Sequence, residues 1–198
     1  MKSHRTQIVN CGVSHVSASI FASGEDGILR LEKVRFIQMK YDFSNEDEWL
    51  NGVEEGLREL KNEHEMGGET HFILPGSLLL TKIIKVPHVE DSKQDDIVEF
   101  ELQQKMPYPL ADLVWGYQVV EDDGVEQEVL AAAVRPAIAE AFCERMDSIG
   151  FRPVELSAAS ILDYNATRHS HIDLKDGEML VINVGAKSSN LLFINPGG

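Results

Sequence analysis

Ile8-Val9-Asn10-Cys11-Gly12-Val13-Ser14, near the start of the chain, is echoed by Val181-Ile182-Asn183-Val184-Gly185-Ala186-Lys187 near its end. Each stretch is an apolar run followed by Asn, one further residue and Gly. Each then continues through serines (Ser17 and Ser19; Ser188 and Ser189) into a second apolar run. Short apolar runs bounded by turn residues predict strands, so both stretches read as hairpins around a small glycine-containing turn. A glycine at such a place is in itself only a turn residue. Two such turns can also offer backbone amides and hydroxyls to a phosphate from opposite sides. That makes Asn10, Gly12, Val13 and Ser14 in the first, and Asn183, Gly185, Ala186 and Ser188 in the second, the candidate phosphate-binding residues.

Working outward from the first hairpin, residues 28–38 supply a third strand after the Ser23-Gly24-Glu25-Asp26-Gly27 turn, giving an antiparallel meander. A helix follows, capped by Ser44 or Asn45, with acids in its first turn and an apolar stripe of Trp49, Val53, Leu57 and Leu60. Thr70–Leu74 is a short strand stopped by Pro75-Gly76. A second unit opens there. Residues 78–86 read as a strand. Residues 90–105 read as a helix capped by Asp91 or Ser92, although Val98, Phe100 and Leu102 alternate as they would in a strand. Met106-Pro107-Tyr108-Pro109 ends that segment, since neither proline continues a helix.

Residues 113–120 and 127–134 form a hairpin around Asp122-Asp123-Gly124. Pro136 opens a helix with Ile138, Phe142, Met146 and Ile149 as its buried stripe. A strand at 152–156, a helix capped by Ser157 with Ala158, Ile161 and Leu162 apolar, and the last hairpin at 178–183 and 190–195 complete an α/β pattern. Within it, a β-α-β-β-α unit spans residues 77–153.

The 198 residues carry a net charge of −15, with acid distributed along the chain. Such a surface repels phosphate backbones and anionic headgroups, which argues against nucleic acid or a membrane surface as direct partner. Two cysteines, Cys11 and Cys143, are too few for a disulfide framework and suit a reducing compartment. No apolar stretch reaches the length of a signal peptide or a span, so the expectation is a cytoplasmic protein without direct membrane insertion. His169 and His171 have no third ligand near them in sequence, and Cys11 has no matching base; neither predicts a metal site or a nucleophile.

The paired hairpins are similar to the two phosphate loops of the superfamily that holds actin and hexokinase. The middle of the chain narrows the resemblance. Leu74-Pro75-Gly76-Ser77, Lys85-Val86-Pro87, the run from Val98 to Leu110 and Tyr117-Gln118-Val119-Val120 resemble PilM, the actin-like protein of type IV pilus assembly. So do Val129 to Arg135, Gly150-Phe151-Arg152-Pro153 and Leu180 to Gly185, in the same order along the chain.

The resemblance implies an actin-like (ribonuclease H-like) core subdomain, residues 1–76 and 154–198, carrying an inserted subdomain of the FtsA type, residues 77–153. It implies an ATP/Mg site completed by a C-terminal half beyond the second loop, so that this sequence holds only half of one and binds no cofactor alone. Both loop positions that usually carry a magnesium-holding Asp are here Asn10 and Asn183, and an amide is a poor ligand for a hard cation. The expectation is therefore a pseudo-ATPase. As partner, the resemblance implies the cytoplasmic N-terminal tail of a PilN-like membrane protein, alongside other pilus assembly proteins and further copies of the chain. That tail would lie in a cleft walled by Phe100, Gln103, Met106, Pro107 and Tyr108. Two alternatives stay open: a working ATPase, and the actin-like cytoplasmic domain of a type II secretion protein of the GspL kind.

Overall fold

The meander at the start of the chain forms from β1 (His4–Cys11), β2 (His15–Ser23) and β3 (Leu29–Gln38), paired antiparallel in that order. The computed structural model describes residues 4–24, 28–39, 45–170 and 177–194. α1 (Glu46–His64) is capped by Asn45, whose Oδ1 accepts the Glu48 amide at 2.9 Å; Ser44, the other candidate, lies outside the described residues. Glu46, Asp47 and Glu48 complement the amino-terminal end of the helix dipole, and Lys61 the carboxy-terminal end. β4 (Gly68–Leu74) then runs parallel to β1, with Val9 opposite Phe72. α1 is the crossover that a parallel pairing requires.

β5 (Leu80–Pro87), α2 (Asp91–Lys105), β6 (Val114–Asp122) and β7 (Glu126–Val134) follow, and then α3 (Pro136–Ser148) and β8 (Phe151–Ala158). α4 (Ala159–His169), β9 (Met179–Val184) and β10 (Ser189–Ile194) complete the order. Three expected caps are corrected. Asp91 and Ser92 sit inside the first turn of α2, whose cap position is Glu90 without a side-chain bond. Ser157 belongs to β8 and donates to Glu155 at 2.8 Å, while Ala158 precedes α4. In both cases the chain enters the helix directly from an extended segment, and packing rather than a cap fixes the start.

Contacts divide the chain into two compact units. The first comprises Met1–Pro75, Glu140–Ser157 and Gly185–Lys187; the second comprises Gly76–Ala139, Ala158–Val184 and Ser188–Gly198. The expected β-α-β-β-α order is present as β5-α2-β6-β7-α3. The division of the sequence into 1–76 with 154–198 against 77–153 rests on topology, whereas the packing units place α4 and the last hairpin with the 76–139 segment.

In the first unit the five-stranded sheet has the order β3-β2-β1-β4-β8. One face carries Val9, Val16, Ala18 and Phe72, all fully buried. α1 lies close on that face, where Gly56 leaves room for Val16 and Ile37. Phe142 of α3 meets Phe72 edge-on at 5.0 Å and stacks with Trp49 of α1 at 5.8 Å. Aromatic contacts of this geometry stabilise beyond the area they bury.

In the second unit the sheet order is β5-β7-β6, antiparallel throughout. α2 buries Val98, Leu102 and the following Met106 against Ile84, Val86, Val129 and Ala131. That resolves the ambiguous alternation: Val98 and Leu102 point inward at helical spacing and Phe100 points out. α4 is fastened to β6 by a reciprocal amide pair, Gln118 with Asn165, and by the Tyr164 hydroxyl donating to the Val120 carbonyl at 2.8 Å. Leu130, Tyr164 and Ile194 form the small core beneath it.

Phe142→Ala should cost about 3–5 kcal/mol, because it empties a fully buried position and removes both ring contacts. Urea unfolding followed through tryptophan fluorescence measures the loss.

Candidate functional site

The first candidate turn joins the last β1–β2 pair, Cys11 opposite Val16. Gly12 is there for a steric reason. A Cβ at this position would stand 2.9 Å from the His15 carbonyl oxygen, inside contact distance. The Gly12 carbonyl accepts the Trp49 indole N–H at 3.1 Å, and the Ser14 carbonyl accepts the Met39 amide at 2.9 Å. The His15 ring stacks on Phe36 with centroids 4.5 Å apart, and its Nδ1 lies 3.3 Å from the Ser14 hydroxyl. Val13 and Ser14 are half-buried at the apex, and Asn10 sits opposite Ser17, three residues before it. Cys11 is fully buried, and burial drives its thiol pKa far above the ordinary range, so it is inert.

The second candidate turn lies between β9 and β10. Asn183 stands opposite Asn190 and Val184 opposite Ser189, with Gly185, Ala186 and Ser188 around the apex. Asn183 is tied down. Its Nδ2 donates to both oxygens of Asp163 on α4, at 3.0 and 2.9 Å. An Asp in its place would set two carboxylates against each other, so the amide here is a structural requirement of the Asp163 neighbour. Asp163 opens onto a cavity of about 270 Å³ together with Thr81, Lys82, Ser160, Asn190 and the apolar Leu130. Gly76 closes on the same region, since a Cβ there would meet Asn190 Oδ1 at 2.7 Å.

These residues do not fit a magnesium ion. A divalent cation needs several oxygen donors, carboxylates above all. At the second turn the strand offers an amide, and both Asp163 oxygens accept from it. Among the described residues no group of three or more His, Cys, Asp or Glu is placed to hold a metal. No hydrolytic step through a metal follows from this arrangement. His171 lies outside the described residues.

The five residues at the end of α2 divide by role. Met106 is 8 % exposed and belongs to the core under α2. Gln103 accepts the Leu110 amide at 2.9 Å, which braces the turn through Pro107 and Pro109. Phe100 and Tyr108 are 64 % and 54 % exposed, and Pro107 is exposed beside them. Two of the five therefore brace the segment and three are displayed on its surface.

Neither Asp163 nor the Trp49 indole stood out in the sequence. Asp163 precedes Asn183 by twenty residues in another element, and no local spacing marks the pair. The indole proton was hidden because Trp49 already had a role in an apolar stripe.

The described geometry can be set beside known proteins. A chain of the PilM–PilN type IV pilus biogenesis complex superposes with a TM-score of 0.81 over 98 % of this chain. The fold is PilM-like, and with it actin-like. Sequence identity to that chain is 17 %. The chain studied spans 59 % of its length. The cytoplasmic domain of EpsL, an inner-membrane component of the type II secretion system of Vibrio cholerae, aligns over 97 % of this chain and 71 % of its own, with a TM-score of 0.57 and 10 % identity. No family model matches the sequence, and no curated protein matches it. Among the described residues no helix is long and apolar enough to cross a membrane.

Asn183→Asp should destabilise the protein by about 1–2 kcal/mol at neutral pH, because two hydrogen bonds are replaced by carboxylate repulsion. Repulsion raises the folded-state pKa of one member of the new pair. The deficit is therefore largest above the carboxylate range and shrinks as pH falls into it, near pH ~4. Chemical denaturation of both proteins at neutral and acid pH, with chelator present, checks magnitude and sign.

Proposed function

We propose that this chain is a PilM-like scaffold on the cytoplasmic side of an inner membrane, holding the N-terminal tail of a PilN-like membrane protein and acting without ATP turnover. The observation that carries the reading is the likeness to a chain of the PilM–PilN complex over nearly the whole of the described fold. The subdomain division goes with it: 1–76 and 154–198 as actin-like core, 77–153 as insertion. Residues 100–108 are the proposed tail-binding wall. An extended apolar tail gains affinity there from the exposed faces of Phe100, Pro107 and Tyr108, on a backbone held by Gln103 and Met106.

The nucleotide site is proposed to be degenerate. What supports this is the chemistry of the two turns, where Asn10 and Asn183 offer amides in place of carboxylates and the Asn183 amide engages the Asp163 carboxylate. Asn10, Gly12, Val13 and Ser14 at one turn, and Asn183, Gly185, Ala186 and Ser188 at the other, are then vestiges of phosphate loops kept as turns. Gly12 is kept for its contact with His15. A second reading, an actin-like domain of a type II secretion protein, is favoured by one observation, the likeness to the EpsL cytoplasmic domain.

Calorimetric titration with the N-terminal cytoplasmic peptide of the membrane protein encoded beside this one should give saturable one-to-one binding. Phe100→Ala and Tyr108→Ala should each weaken it by about 1–2 kcal/mol, or roughly tenfold, with unchanged thermal unfolding. Absence of binding to the folded wild type would refute the scaffold reading, and ATP hydrolysis by the wild type would refute the degenerate site.

A further inference from the structure

β3 is the outer strand of the five-stranded sheet and pairs only with β2 among the described residues. Among the described residues no strand lies against its other edge, where the Arg35 guanidinium donates to the Val34 carbonyl. Natural edges are commonly short, strongly charged or covered; this one is ten residues long and, beside the charges of Arg30, Glu32, Lys33 and Arg35, displays a row of large apolar side chains. Leu29, Leu31, Val34 and Phe36 are 62 %, 56 %, 50 % and 61 % exposed.

A bulge sets their phase. The register places Leu29 opposite Ser23, Leu31 opposite Phe21, Val34 opposite Ser19 and Phe36 opposite Ser17, with Glu32 left over between. Without the extra residue, Val34 and Phe36 would point to the other face. With it, all four apolar side chains lie on the face away from α1, while Lys33 and Arg35 lie on the α1 side, opposite Ile20 and Ala18. The acceptors of those two cations are neutral: Lys33 donates to the His64 carbonyl, and Arg35 to His64 Nδ1 and the Val34 carbonyl.

We infer that the free edge of β3 is a second interaction surface, which takes an extended strand with alternating apolar and acidic side chains from a partner protein. Added as a sixth strand, such a segment pairs its backbone with β3, lays its apolar side chains beside Leu29, Leu31, Val34 and Phe36, and sets its carboxylates beside Lys33 and Arg35. Charge selects this occupant over a second copy, which would bring the same cations to the same edge and a further net charge of −15 with them. The Debye length at physiological salt is about 8 Å, so an arriving strand responds to the local cations more than to the acid elsewhere on the chain.

The test uses the whole chain and a fluorescein-labelled peptide of about ten residues alternating valine and glutamate, the length of one strand, with a valine–lysine peptide as control. Anisotropy should show saturable binding of the glutamate peptide only. Val34→Lys, and separately the double variant Lys33→Glu with Arg35→Glu, should each weaken it at least about tenfold. All three positions are at the surface or edge, and an unchanged Tm verifies the fold of each variant. Equal binding of both peptides, no binding, or binding insensitive to either variant overturns the inference. So does sedimentation of the protein alone as a dimer that Val34→Lys dissociates, because a second copy then covers the strand.

Discussion

The Trp49 side chain joins the core of the first unit to its turn. Its ring stacks on Phe142, which in turn meets Phe72 edge-on, so α1, α3 and β4 share one aromatic cluster drawn from segments far apart in sequence. Its indole N–H reaches the Gly12 carbonyl at the end of β1. A buried indole needs an acceptor, and the carbonyl of a tight turn needs a donor. One contact satisfies both. The conformation of the turn is thus set by helix packing as well as by the strands it joins.

The two turns look alike in sequence and are held by different means. The first depends on the absence of a side chain at Gly12, on the indole, and on the stacked pair His15–Phe36. The second depends on a polar tie between β9 and α4, Asn183 with Asp163. Substituting amide for carboxylate at Asn183 is often read as loss of a metal ligand. Here the amide also avoids repulsion from the Asp163 side chain and makes a structural bond to it.

Much of the architecture was legible because burial imposes a period. Trp49, Val53, Leu57 and Leu60 are all buried along α1, and the meander, the inserted hairpin and the last hairpin appear within a few residues of their expected ends. Helix starts were less legible. Asn45 caps α1 as a polar residue before an apolar stripe should, but α2 and α4 begin without a side-chain cap, so the serines and acids nearby misplaced the cap positions. At the end of α2, the exposed Phe100 and the buried Met106 looked equivalent in sequence. Only the course of the helix against β5 and β7 separates wall from surface.

Sequence by itself determined the element order, the α/β class and the two Asn-x-Gly turns, because hydrophobic period and turn chemistry act over a few residues. Tertiary structure alone decided what each polar group at those turns does. The Asn183–Asp163 bond, the Trp49–Gly12 bond and the phase of the exposed β3 side chains all join residues whose neighbourhood is created by packing. Hydrogen bonds and strand register depend on distances of a few ångströms between separate elements, and no local pattern in the chain encodes those distances.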